Sequence, residues 1–99
     1  MTARPRYSPA ARGDLGGIAE FIGQDNPARA RSFVEELREH CRRLAAQPRL
    51  HRLREEFGPG VRGAVHGAYV IPYTHRDDGS VVIERVVHGA RDLDRLLDE

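Results

Sequence analysis

The sequence predicts an α+β fold. It would hold an N-terminal strand, an antiparallel helix hairpin packed on a mainly antiparallel sheet of three to four strands, and a short C-terminal helix, in a single domain over residues 1–99. Three observations predict it. Residues 9–47 place apolar side chains at helical spacing with one break, residues 61–88 change to runs of β-branched and aromatic residues, and "DLDRLL" near the C-terminus returns to helical spacing.

In order along the chain, "RPRY" at 4–7 is a short first strand that ends at "SP". Ser8 then offers a hydroxyl N-cap and Pro9 a preset first turn. Ala11, Leu15, Ile18, Ala19 and Ile22 continue the helix on one face. Gly13, Gly16 and Gly17 each cost a helix about 1 kcal/mol relative to alanine, and the expected compensation is close approach of a second helix. "GQDNP" at 23–27 is a break and a new start, with Asp25 or Asn26 as cap and Pro27 in the first turn. Ala30, Phe33, Val34, Leu37, Cys41, Leu44 and Ala45 mark one face over about five turns, opposite a charged face. Two such helices joined by so short a turn pack as an antiparallel hairpin.

Pro48 ends the second helix, and "RLHRLREEFGPG" follows as an irregular stretch. "VRGAVHG", "AYVIPYTH" and "SVVIERVVH" are the strand runs, the last two joined by the turn "RDDG". Val81, Val82, Ile83, Val86 and Val87 occupy both faces of the last run, so it is expected to be one central strand covered by helices on one side. Pro72 cannot donate to a ladder, and a local irregularity is expected there. In the final segment Asp92 is the expected N-cap, and Leu93, Leu96 and Leu97 form one apolar face.

The 99 residues suffice for one modest core, burying roughly two-thirds of the unfolded surface. An apolar fraction of 39% and a charged fraction of 31% leave the chain short of core, which suits a protein that leans on a partner. No apolar run approaches the roughly 20 residues of a membrane span, and the N-terminus lacks a signal-like apolar stretch, so a cytoplasmic location is expected. One cysteine, Cys41, excludes an internal disulfide, and its spacing from Leu37 and Leu44 makes it a core thiol.

All sixteen basic residues are arginine. Arginine binds phosphate or carboxylate bidentately but keeps its proton, so any general base must be a histidine, carboxylate or tyrosine. A net charge of +1 gives no global attraction to nucleic acid. No phosphate-cradling glycine loop, HExxH helix or GxSxG elbow is present, and neither a cofactor nor a metal is expected.

The chemistry-bearing residues that remain are His51, Arg52, Arg54, Arg62, His66, His75, Arg85, His88 and Arg91. A histidine base with arginines around a phosphate is what metal-independent RNA cleavage needs. The plainer alternative is that His88 satisfies backbone groups at a strand end and that Arg85 pairs with Glu84 or a neighbouring acid. The C-terminal leucines either fold back on the chain's own core or help receive an amphipathic partner segment.

"YSPAARGDLGGIAEFI", the proline after the second helix, "GAYVIPY" and above all "IERVVHGARDLDRLL" occur in an order that resembles the ParE/RelE superfamily of type II toxin-antitoxin toxins, specifically its ParE branch. The resemblance spans nearly the whole chain. It implies the helix-hairpin-on-sheet fold and an antitoxin partner of the ParD kind, with only the antitoxin touching DNA. For the ParE branch it implies poisoning of DNA gyrase, and for the RelE branch cleavage of messenger RNA on the ribosome. In RelE-like ribonucleases the corresponding loop carries lysines and arginines, and a late tyrosine takes part in cleavage. Here Arg52, Arg54 and Arg91 match the cationic positions and His88 or Glu84 is the available base, with Arg85 beside it. However, lysine is absent and the last tyrosine is Tyr73. The expected activity is therefore gyrase inhibition, with the ribonuclease or an inactive antitoxin-binding protein as alternatives. Tyr73, Arg85, His88, Arg91, Leu93, Leu96 and Leu97 are the expected contacts for antitoxin or target.

Overall fold

The computed structural model describes residues 4–97, with side chains as far as Asp94. Its elements are β1 (Arg6–Tyr7), α1 (Pro9–Gly23), α2 (Pro27–Ala46), a single 3-10 turn (Glu55–Phe57), β2 (Val61–His66), β3 (Tyr69–His75), β4 (Val81–Ile83), β5 (Val87–His88) and α3 (Gly89–Leu97). The sheet runs β1-β4-β3-β2, with β5 also paired to β3. Only β1 is parallel to its neighbour, β4.

Both long helices begin where their capping residues require. The Ser8 Oγ accepts from the Ala11 N–H at 2.9 Å and donates to the Glu84 carbonyl at 2.7 Å. The Ser8 N–H donates to the Ile83 carbonyl at 3.0 Å, so one residue closes β1, caps α1 and ties both to the end of β4. Asn26, rather than Asp25, caps α2 by accepting from the Arg29 N–H at 3.0 Å.

The hairpin packs its apolar stripes on the sheet as predicted. Ala11, Leu15 and Ile18 of α1 and Leu37, Cys41 and Leu44 of α2 meet Ala64, Ile71, Tyr73, Val81 and Ile83. Burial pushes the Cys41 thiol up to about 11, so it packs as a neutral group. The three helix glycines have a different surrounding from the one expected. A Cβ on Gly13, Gly16 or Gly17 would meet nothing within 4 Å, whereas the helix–helix approach occurs at Gly23, where a Cβ would lie 3.7 Å from that of Ala30. None of the three is therefore a point of close helix contact.

The predicted last strand is split in two, which raises the strand number to five. β3 pairs with β4 through Tyr73 and Ile83 and with β5 through Val70 and Val87, so three residues, Glu84 to Val86, face two, Ile71 and Pro72. This is a β-bulge, and its cause is Pro72. The N–H and C=O of a strand residue point to the same side, so proline leaves that side one donor short. The Pro72 carbonyl accepts from Glu84 N–H at 2.9 Å and Arg85 N–H at 3.4 Å, both on the bulged strand. The expected irregularity therefore appears opposite Pro72, while Pro72 itself stays in β3.

The sheet face away from the hairpin is partly covered. The 3-10 turn packs there on Gly63, where a Cβ would lie 3.1 Å from the Arg54 Cγ and 3.4 Å from the Phe57 ring. Val65 remains 60% exposed. Among the described residues no helix is long and apolar enough to cross a membrane.

Candidate functional site

The bulge turns residues 84–88 toward α1 and leads into α3, and a cleft of about 340 Å³ opens between these elements. Its floor and walls include Gly17, Ile18, Phe21, Tyr69, Arg91 and Asp92. Phe21 is 58% exposed, and the Arg91 guanidinium lies over its ring at 5.1 Å. A partly apolar cleft of this kind, lined by Asp14 and Asp92 as well as Arg91, can take an apolar side chain of a partner.

Asp14 holds this corner together. Its carboxylate accepts from Arg85 Nε at 2.8 Å, Arg85 Nη2 at 3.0 Å and the Val86 N–H at 2.9 Å. Both side chains are partly withdrawn from water, at 15% and 32% exposure, so this bidentate pair is stronger than an ordinary surface one. Asp14 thereby satisfies an N–H of the bulge and anchors Arg85. The expected pairing of Arg85 with Glu84 or a neighbouring-strand acid is replaced by this pairing with a helix. Glu84 instead accepts from Thr74 Oγ1 at 2.9 Å and lies 3.6 Å from Arg76.

His88 occupies the cap position of α3. Its Nδ1 accepts from the Arg91 N–H at 3.3 Å, and its own N–H donates to Asp92 Oδ2 at 3.3 Å. Its ring stands edge-on to Tyr69 at 5.3 Å. Asp92 is thus in the first turn, four residues after the cap, and is not the N-cap expected from the sequence. The pattern resembles a capping box, in which side chain and backbone exchange donors at a helix start.

The other predicted site residues are scattered. Tyr73 is fully buried and donates its hydroxyl to the Pro48 carbonyl at 2.8 Å, which makes it a core residue and corrects its assignment to a contact surface. Arg54 pairs with Glu56 at 2.8 Å and lies over Phe57, while Arg52 is exposed. Leu93 is half-buried, and the Leu96 and Leu97 side chains lie outside the described residues. Sequence reasoning missed Asp14, Phe21 and Tyr69 as parts of one site. For Asp14 a signal existed: Ala11, Asp14, Leu15 and Ile18 share a helical stripe, and a carboxylate on a buried stripe requires a partner.

The elements and this corner form a small α+β fold. A strand and helix hairpin are followed by a meander and a terminal helix, with a cleft at the junction. A family model described as the ParE toxin of type II toxin-antitoxin systems, parDE, matches residues 6–93, and the chain belongs to that family. It is 33% identical over 101 residues to "Toxin ParE1" of Mycobacterium tuberculosis, in strains CDC 1551 / Oshkosh and ATCC 25618 / H37Rv, covering 98% of this chain and 100% of each relative. In fold it is similar to a chain of the solved "Chromosomal ParDE TA system from P. aeruginosa", with a TM-score of 0.75 at 19% identity over 88% of this chain and 96% of that one. The protein is a ParE-type toxin of a toxin-antitoxin system, a class in which a toxin is paired with an antitoxin.

Proposed function

We propose that this toxin inhibits DNA gyrase in the cytoplasm and is neutralised by direct binding of a ParD-like antitoxin, through which alone it is brought to DNA. The observation that carries the reading is the match to the ParE family over residues 6–93. The geometry of the C-terminal corner supports it. The groups that a ribonuclease would need are engaged in building that corner, Arg85 with Asp14 and His88 Nδ1 with the Arg91 N–H.

Supercoiling by purified gyrase tests the reading. Added toxin is expected to halt supercoiling and trap cleaved DNA, and unimpaired supercoiling overturns the proposal. The ribonuclease alternative makes the opposite demand of His88. With His88→Ala, gyrase inhibition persists under the proposed reading, whereas loss of toxicity together with loss of cuts in translated messages favours RNA cleavage.

The antitoxin's apolar segment is proposed to cover the sheet and the α3 side of the molecule, with Arg85, His88, Arg91 and the leucines Leu93, Leu96 and Leu97 at that surface. The exposed Phe21 and Val65 are apolar groups such a segment would remove from water. Hydrogen exchange with and without antitoxin should show protection there, and protection confined to residues 27–47 rejects the placement.

A further inference from the structure

Between α1 and α2 the hairpin carries a groove that the HGARD corner at residues 88–92 does not use. It consists of two adjoining hollows of about 500 and 610 Å³, which share Ala19, Val34 and Arg38. Its apolar lining is Leu15 and Ala30, which are buried, and Ala19 and Val34, which are half-buried. Gly16 leaves room on the α1 side, because a Cβ there would meet nothing within 4 Å. Small side chains facing each other across two packed helices leave a shallow trough, the shape that receives one face of a further helix.

The rim of the trough is basic. Arg12 of α1 and Arg31, Arg38 and Arg42 of α2 stand round it, against one carboxylate, Glu35. Arg42 is paired with Glu39 at 2.7 Å, and Arg29, outside the groove, with Glu36 at 2.6 Å. Arg12, Arg31 and Arg38 are exposed and form no ion pair with a described carboxylate, while the Arg38 guanidinium lies over the Tyr7 ring at 5.6 Å. An uncharged partner laid on this groove would strip water from those guanidinium groups and give nothing in return. A nucleic-acid strand would meet the arginines but leave the apolar lining wet. An occupant that satisfies both the lining and the rim has an apolar stripe flanked by carboxylates.

We infer that the groove receives an acidic amphipathic helix of the toxin's target, its apolar stripe on Ala19 and Val34 and its carboxylates on Arg12, Arg31 and Arg38. That this target is gyrase rests on the proposed function. Arg31 and Arg38 stand two helical turns apart on α2, about 10 Å along its axis, so acids two turns apart on a helix lying alongside meet both. Helix α1 connects this groove to the C-terminal corner. Arg12 and Gly16 line the groove, and Gly13 and Gly17 line the corner cleft. An antitoxin segment seated at the corner therefore crowds the helix that the target needs, and one excludes the other without occupying the same contacts.

The test compares the full-length toxin with its Arg12→Glu, Arg31→Glu and Gly16→Leu variants for binding to gyrase holoenzyme and inhibition of supercoiling, with antitoxin affinity and melting temperature measured alongside. Each charge reversal is expected to weaken gyrase binding and inhibition about tenfold or more, and inhibition by the parent should weaken as salt rises. Gly16→Leu adds no charge and fills the trough, so it should weaken binding to a similar degree. Antitoxin affinity and melting temperature should stay near those of the parent in the two exposed arginine variants. A parent without effect on supercoiling overturns the proposed function and this inference together. A parent that inhibits, with folded variants that inhibit equally, overturns this inference alone. It is likewise overturned if the variants lose antitoxin and gyrase binding equally, which assigns the groove to the antitoxin. Loss in the variants of a toxin dimer, or of tight binding to bare duplex DNA, also overturns it by assigning the groove to a second copy or to nucleic acid.

Discussion

At the HGARD corner α1 is fastened to the sheet by Asp14, a carboxylate with three donors and a cation as partner; beside β2, α2 meets the sheet through His40 and His66, two rings of the same kind sharing one proton. In the first contact opposite charges are satisfied at any pH where carboxylates are ionised. In the second, protonating both rings places two like charges face to face. One contact fixes backbone geometry, and the other can be tuned by solution conditions. The difference shows how a chain short of apolar core ties two helices to one sheet by polar contacts with different sensitivities.

The largest effect expected is at the fixed contact. Asp14→Ala removes the acceptor of the Val86 N–H and the paired carboxylate of Arg85, which should cost about 1–3 kcal/mol in denaturant unfolding. A loss under 1 kcal/mol would show that the bulge holds itself. Near the histidines, Tyr73→Phe removes the hydroxyl that serves the Pro48 carbonyl and should cost about 1 kcal/mol. No loss there would mean that water reaches that carbonyl.

The pH dependence of unfolding should separate the two regions. His40 has a folded pKa below its ordinary 6.5, so below that value the unfolded chain binds more protons. Its stabilising contribution is present above pH 6.5 and is lost as pH falls toward the folded pKa. Melting temperature should therefore drop between pH 7 and 5.5 in the parent protein and drop less in His40→Gln. An identical slope in both removes the histidine pair as the tunable contact.

The smallest effect expected is a gain. Gly16→Ala adds a Cβ in open space and should stabilise α1 by about 0.5–1 kcal/mol. Chemical denaturation checks it, and a destabilised variant would show that α1 packs more closely at this face than the structure has it.

Both helices, the cap at Ser8, a cap at Asp25 or Asn26, the turn after β3 and the order of the main elements were legible in the sequence, because each rests on spacing within one segment. Pro72 likewise announced an irregularity. Where the expectation failed, the deciding partner lay far along the chain. Arg85 chose Asp14, 71 residues away, over the adjacent Glu84. Asp92 gave up the cap position to His88, whose Nδ1 accepts from the Arg91 N–H as the helix begins at Gly89. Tyr73 lies in the core because its face of β3 is the one the helices cover, which strand composition alone does not show.

The sequence by itself determined which segments form the two long helices and the strand region, that α1 starts after Ser8, and that the last histidine is His88. Periodicity, capping and proline chemistry act within a few residues, and they suffice for that. Only the tertiary structure decided that Asp14 serves Arg85, that the glycines of α1 face open space, and that His40 meets His66. These depend on the crossing of helices over a bulged sheet, where a change of one residue in strand register moves a side chain to the opposite face.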